Sequence, residues 1–291
     1  MTLAFVLITA ARNEAAFIER TLQSVIGQTR RPLKWVIVSD GSTDDTDAIV
    51  ARYAAQHDWI ELVRTPARAQ RHFAGKVMAF NAGYERIHGM PYAAIASLDG
   101  DISLDPDHFE FLLDKLEADS SLGLVGTPFR DTTIYDYRFV STEHVSGACQ
   151  LFRRECFEAI GGYQPSRRGG VDHIAVISAR MKGWKTRTFL DKECRHHRPI
   201  GSAGHGTLAA KFKVGMLDYA LGGHPVWELS RTAYQMTRRP YVVGGLMILS
   251  GYVVAGLRRI ERPVSPELVR FRHREQMNRL RTFFVGLVPG R

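Results

Sequence analysis

The sequence has little cysteine, no long membrane-spanning run and no single-signed charge over most of its length. Three cysteines, Cys149, Cys156 and Cys194, fall at irregular spacing among 291 residues. An odd, scattered set excludes a disulfide framework, lacks zinc-site spacing and points to a reducing compartment. Neither GxGxxG nor GxxxxGK[ST] occurs, so neither a dinucleotide fingerprint nor a P-loop is supported. Internal repeats and low-complexity segments are absent as well. Met1-Thr2-Leu3 runs straight into an apolar stretch with no basic region or cleavage site, so no signal peptide is expected. At this length the chain suits one large α/β domain, or one domain with an appendage.

The charge is unevenly placed. Residues 231–291 hold 12 Arg, no Lys and 3 Glu, which accounts for the whole net charge of +9. Residues 1–230 are balanced. A neutral body with a basic tail points to a polyanionic surface met by the tail alone. Nucleic acid would call for basic or aromatic patterning on the body too, so an anionic membrane surface is expected and nucleic acid is not.

The chemistry-bearing stretch is Ala96-Ser97-Leu98-Asp99-Gly100-Asp101. The apolar run from Ala93 to Leu98 reads as a buried strand that delivers two carboxylates at its carboxyl end, where open α/β sheets bind ligands. Two carboxylates so close repel each other and favour a hard divalent cation between them, with phosphate oxygens as further ligands. Upstream, Leu3–Thr9, Trp35–Ser39 and Ile60–Val63 read as strands. Glu14–Ile26, a segment from Ser42 to about Gln56, and Lys76 to about His88 read as helices. Gly27 reads as a helix-closing C′ residue, and Ser42 with Asp45 as a helix start. This alternation predicts a parallel sheet of nucleotide-binding type, with Arg12-Asn13-Glu14, Asp40 and Asp99/Asp101 at one edge. Further on, Pro106–Ala118, Arg154–Ile160 and Val171–Lys182 read as helices, and Leu122–Thr127 and Lys185–Leu190 as strands.

Taken in order, ITAARNEAAFIERTLQSVIGQT, WVIVSDGSTDDT, GKVMAFNAG, SLDGD, GACQLFRRECFEAIGGY and VDHIAVISARMKGWKT resemble the inverting glycosyltransferases of family 2, which have the GT-A fold. The resemblance covers roughly residues 3–190. It implies a catalytic domain over residues 1–200, with a nucleotide-sugar half to about 103 and an acceptor half from 104, followed by a basic, apolar helical region over 201–291. It also implies roles. Asp40 would hydrogen-bond the nucleotide base, while Thr9, Ala11 and Glu14 would line base and ribose. Lys76 would lie near ribose or pyrophosphate, though a solvated helix N-terminus is the alternative. Asp99 would face the ribose and phosphates, and with Asp101 would hold Mn²⁺ or Mg²⁺. Asp172 stands at the position of the catalytic base; that motif is usually Glu-Asp, and here Val171 replaces the Glu. His196 or His197 would be a further metal ligand. Neighbours on a strand point to opposite faces, so at most one of them reaches the cleft. Arg195 or Arg198 would neutralise the diphosphate.

The implied activity is a single displacement in which an acceptor hydroxyl attacks the anomeric carbon of a nucleotide-diphospho-sugar, UDP-linked by expectation. The Gln/Arg-x-x-Arg-Trp segment of processive synthases is absent, so one sugar per acceptor is expected. The expected acceptor is a polyprenyl-diphosphate-linked glycan in bacterial surface polysaccharide assembly, handled at the cytoplasmic face of the plasma membrane. A polyprenyl monophosphate acceptor and a non-catalytic sugar-nucleotide-binding scaffold are the rivals. Residues 201–206 read as a loop that orders over the donor. The seventeen uncharged residues from Tyr241 to Leu257 lie between arginine pairs and fall short of the about twenty a spanning helix needs. They read as a monotopic or re-entrant segment, with a buried helix and, at the lower limit of length, a true span as the alternatives.

Overall fold

The computed structural model of the chain describes residues 2–66, 74–130, 141–198 and 207–287. The loop expected over 201–206 lies outside the described residues. The chain divides into two compact units, one of residues 1–167 and 171–200, the other of 168–170 and 201–291.

The first unit is built from β1 (Phe5–Ala11), α1 (Ile18–Ile26), β2 (Trp35–Asp40), α2 (Thr46–Ala54), β3 (Ile60–Thr65), α3 (Ala74–Glu85) and β4 (Ala94–Leu98). There follow β5 (Ile102–Ser103), α4 (His108–Ala118), β6 (Leu122–Gly126), β7 (Phe129–Arg130), β8 (Cys149–Arg153), α5 (Arg154–Ala159), α6 (Val171–Met181), β9 (Lys185–Thr188) and β10 (Cys194–His196). Among the described residues the main sheet runs β3-β2-β1-β4-β8-β6-β9. Its first four strands are parallel and β8 is antiparallel to both neighbours, so the sheet is mixed. Both faces are covered, which is why the strands read as continuous apolar runs. On β1, Phe5, Leu7 and Ala11 face the layer that includes Ile18, Leu22 and Phe109, while Val6 and Ile8 face Val77, Phe80 and Val176.

Three local expectations change. β1 continues through Ala10 and Ala11, which pair with Val38 and Ser39, because inter-strand hydrogen bonds outweigh the weak strand preference of alanine. The turn therefore falls at Asn13, whose φ of 55° is left-handed, a conformation asparagine tolerates. α2 starts at Thr46 rather than at Ser42. Asp44 Oδ1 takes the Thr46 amide at 3.1 Å, and Ser42 Oγ accepts from the Asn13 amide at 3.1 Å, so Ser42 joins two loops instead of capping a helix. Gly27 does follow α1, but at φ −77°, without using a glycine conformation.

The second unit contains α7 (Thr207–Ala220), α8 (Pro225–Met236), α9 (Val243–Leu257) and α10 (Pro266–Leu287). Among the described residues no helix is long and apolar enough to cross a membrane. α9 buries Gly245, Ile248, Gly251, Tyr252 and Ala255. Its glycines bring backbones into contact: a Cβ on Gly251 would lie 2.0 Å from the Phe212 carbonyl oxygen of α7, and one on Gly245 2.7 Å from that of Thr232 on α8.

Behind these crossings sits a buried ionic cluster. Arg272 Nη2 donates to Asp218 Oδ1 at 2.6 Å, and Arg231 lies 3.6 Å from Asp218 and 3.5 Å from Glu228. Burial, and then the Asp218 charge, push the fully buried Glu228 carboxyl up to about 8, with Arg231 opposing. Burial works against ionisation of Asp218 too, but Arg272 and Arg231 prevail and hold it low. A carboxyl whose folded pKa exceeds its unfolded value of about 4.5 binds its proton more tightly when folded. That contribution to stability is complete below about pH 4.5 and is lost as pH rises through about 8. Glu228→Gln should therefore flatten the melting temperature of this unit between about pH 5 and pH 8, measured by calorimetry at several pH values. An unchanged slope in the variant would show that Glu228 does not titrate there.

Candidate active site

At the carboxyl edge of the parallel strands, side chains of one loop satisfy the backbone of the next. The Glu14 amide donates to Thr46 Oγ1 at 2.8 Å, the Ala15 amide to Asp44 Oδ2 at 3.0 Å, and the Thr43 amide to Asn13 Oδ1 at 2.8 Å. These bonds fix the loops after β1 and β2 against each other. Asp40 closes β2, is buried, and accepts from Thr65 Oγ1 at 3.2 Å. Thr9 is placed differently from its expected role. Its side chain is fully buried and its hydroxyl accepts from Trp35 Nε1 at 3.0 Å, because alternation along β1 turns it into the core. Ala11 is buried too and packs under Gly100.

The Asp99-Gly100-Asp101 turn is wedged beneath the start of α1. A Cβ on Gly100 would lie 3.1 Å from Ile18 Cδ1 and 3.3 Å from Glu14 Cγ, and the Gly100 carbonyl accepts from Thr21 Oγ1 at 2.9 Å. Asp99 pairs with Lys76 at the head of α3. Burial raises Asp99 above the ordinary carboxylate range and the Asp101 charge adds to it, while Lys76 pulls the other way. Burial by itself would lower the Lys76 ammonium, but Asp99 raises it. Asp172 lies in the first turn of α6, close over the backbone of Gly147, where a Cβ would stand 2.9 Å from Asp172 Cβ. Its charge acts on both Lys76 and Asp99, so the structure gathers these three residues. Beneath them, the Tyr163 hydroxyl donates to Gln150 Oε1 at 2.6 Å, a buried support with no separate mark in the sequence.

A second, three-stranded sheet, β5-β10-β7, brings the histidines to the site. Its strands are two or three residues long, too short to read from sequence. His196 pairs with Ile102, and its Nε2 stands 3.7 Å from Asp101 Oδ1. Its Nδ1 meets the Arg198 carbonyl, an acceptor, and so carries a proton, while Nε2 is the ring nitrogen that faces Asp101. His197 turns away: Arg20 Nη1 lies 3.3 Å from its Nδ1, and its Nε2 lies 2.9 Å from Ser103 Oγ. Both His197 nitrogens are engaged, so of the two expected metal-binding histidines only His196 turns a ring nitrogen toward Asp101. Arg198 Nη2 donates to Glu14 Oε2, and Arg198 Nε lies 3.3 Å from Asp101 Oδ2. Burial and then the Asp101 charge push the Glu14 carboxyl up to about 7, against the pull of Arg198.

The donor set fits a divalent cation. The Asp101 carboxylate and His196 Nε2, 3.7 Å apart, are oxygen and nitrogen donors of the kind such an ion accepts. Among the described residues no group of three His, Cys, Asp or Glu side chains is close enough to form a complete cage. A site of this kind takes one or two protein ligands and completes its shell with substrate phosphates and water.

The sequence model described as Glycosyl transferase family 2 matches residues 6–144, just under half of the chain. Chondroitin synthase of Escherichia coli is 27% identical over 186 residues, which cover 60% of this chain and 26% of that protein. The chain spans between about an eighth and a half of the length of the curated relatives it matches. Among solved structures, the mannosyltransferase PcManGT of Pyrobaculum calidifontis, in complex with GDP-Man and Mn²⁺, superposes with a TM-score of 0.63 at 18% identity, covering 89% of both chains. The S. aureus protein TarS, in complex with UDP-GlcNAc, gives 0.57 at 13% identity, covering 88% of this chain and 73% of that one. These likenesses establish the GT-A fold.

Proposed function

We propose that the chain, whose residues 6–144 match the model described as Glycosyl transferase family 2, is an inverting glycosyltransferase that draws on a nucleotide-diphospho-sugar. The observation that carries this reading is the convergence of Lys76, the Asp99/Asp101 turn and Asp172 from three separate segments, with Asp40 closing β2 at the same sheet edge. Asp40 would bind the base, and Lys76 and Arg198 would meet the diphosphate with positive charge. Asp101 and His196 would hold Mn²⁺ or Mg²⁺, which supplies charge stabilisation to the leaving diphosphate. Asp172 would accept the proton of the acceptor hydroxyl as that oxygen forms its bond to the anomeric carbon and the bond to the diphosphate oxygen breaks. UDP is the proposed nucleotide; TarS is seen with UDP-GlcNAc, while PcManGT is seen with GDP-Man. The proposed acceptor is a lipid-linked or polysaccharide hydroxyl in bacterial surface-glycan synthesis, in line with the polysaccharide synthases among the relatives. Residues 1–200 would form the catalytic body.

A thermal-shift panel tests the donor site. A ligand at a hundred times its Kd stabilises by about 2.7 kcal/mol. UDP or a UDP-sugar should raise the melting temperature of the wild type with Mn²⁺ present, and Asp101→Asn should remove the metal-dependent part. No shift with any nucleotide, with or without metal, would overturn the reading.

A further inference from the structure

We infer that the outer face of α9 docks on an anionic lipid surface. Of the sixteen large apolar side chains that stand exposed among the described residues, thirteen belong to the second unit. On α9 they form a stripe. Leu246, Val253 and Leu257 are 49%, 46% and 80% exposed, with Leu249 and Ser250 half-buried between them, opposite the buried face of Gly245, Ile248 and Ala255. Tyr241, Val242 and Val243 extend the stripe at its start. This helix is therefore apolar on both sides, and only one side is covered within its unit.

Charge selects the occupant. Exposed Arg239 stands before the stripe and exposed Arg258 and Arg259 after it. No carboxylate pairs with these three among the described residues. An apolar stripe with guanidinium groups at both ends fits the headgroup–acyl boundary, with arginines on lipid phosphates and aliphatic side chains below them. A nucleic-acid backbone would satisfy the arginines but leave the stripe without an apolar partner. In an antiparallel pairing with a second copy, Arg239 of one chain would meet Arg258 and Arg259 of the other, an excess of like charge that the neighbouring Glu261 does not balance. At 15 residues α9 is about 22 Å long, short of the about 30 Å of a hydrocarbon core, so it lies on the surface and does not cross it.

This docking gives the proposed lipid-linked acceptor its partner surface but uses none of the donor chemistry. Flotation of the full chain with phosphatidylcholine vesicles, with and without about one-third phosphatidylglycerol, tests it. The wild type should float with the anionic vesicles, less so at high salt. Leu246→Glu with Val253→Glu should weaken binding more than tenfold, and Arg258→Gln with Arg259→Gln about fivefold per arginine. Leu257→Glu, at the most exposed position of the stripe, repeats the test where folding is not at stake. Failure of the wild type to float, or wild-type flotation by the Leu246/Val253 variant, would overturn the inference. So would a dimer in light scattering that the same variant dissolves, since a second copy would then own the face. If flotation fails while nucleotides still raise the melting temperature, docking falls and the transfer reading stands.

Discussion

Asp172→Asn should lower kcat by about 10²- to 10⁴-fold while leaving the affinity for donor and metal within about twofold. Asparagine keeps the shape of the side chain over Gly147 but cannot take a proton. The glycine contact makes the substitution clean, since the backbone of residue 147 approaches the carboxylate closely and the amide fills the same space. Removing one negative charge also eases the pull on Lys76, whose pKa burial would lower but Asp99, and after it Asp172, raise. Lys76 stays paired with Asp99, so the donor side should keep its geometry. The measurements are donor affinity by calorimetry and transfer under single-turnover conditions. Unimpaired transfer would remove Asp172 from the base role. It would favour an acceptor that is already ionised, such as a polyprenyl monophosphate, which needs no base. Val171, where the family usually has glutamate, makes this test informative in either direction.

The largest stability effect is expected at Gly251. An alanine there puts its Cβ 2.0 Å from the Phe212 carbonyl oxygen, and α7 offers no rotamer to move because the obstacle is backbone. The helices must separate, which opens their interface and should cost more than about 4 kcal/mol, enough to unfold a marginal unit. Gly215→Ala meets the same barrier from the other side, 1.8 Å from the Ile248 carbonyl oxygen. Gly244→Ala is the matched control. Its nearest neighbour would be Pro240 at 3.4 Å, an ordinary contact, and alanine is worth up to about 1 kcal/mol over glycine in a helix. Thermal melts of the three variants should give two collapses and one unchanged or slightly raised transition. A Gly251→Ala protein that melts like the wild type would show that these helices do not cross at backbone contact.

Much of the first unit was legible because its signals are local. Apolar runs bounded by Asp40 and Asp99 locate strands buried on both faces, and a strand that ends in carboxylates locates the ligand edge of an α/β sheet. The ordered motifs implied the GT-A fold, and that is the fold observed. The site itself was only partly legible. Glu14, Lys76, Asp99, Asp101 and Asp172 could be named from their motifs, but their partners could not. Lys76 meets Asp99 across 23 residues and Glu14 meets Arg198 across 184, separations at which sequence pattern carries no pairing information. Thr9 shows the converse: its position on a motif strand suggested the cleft, and the alternation of β1 put its side chain in the core.

Composition and periodicity by themselves determined an α/β chain with a carboxylate-bearing sheet edge and a separate basic, apolar C-terminal region, because burial and charge leave marks on neighbouring residues. Tertiary structure alone decided which of two adjacent histidines faces Asp101. The reason is that β10, three residues long, gains its register from β5 and not from its own sequence. It decided the glycines of α9 as well. Gly244 and Gly251 are alike in the sequence, and only the approach of another helix makes one replaceable and the other not.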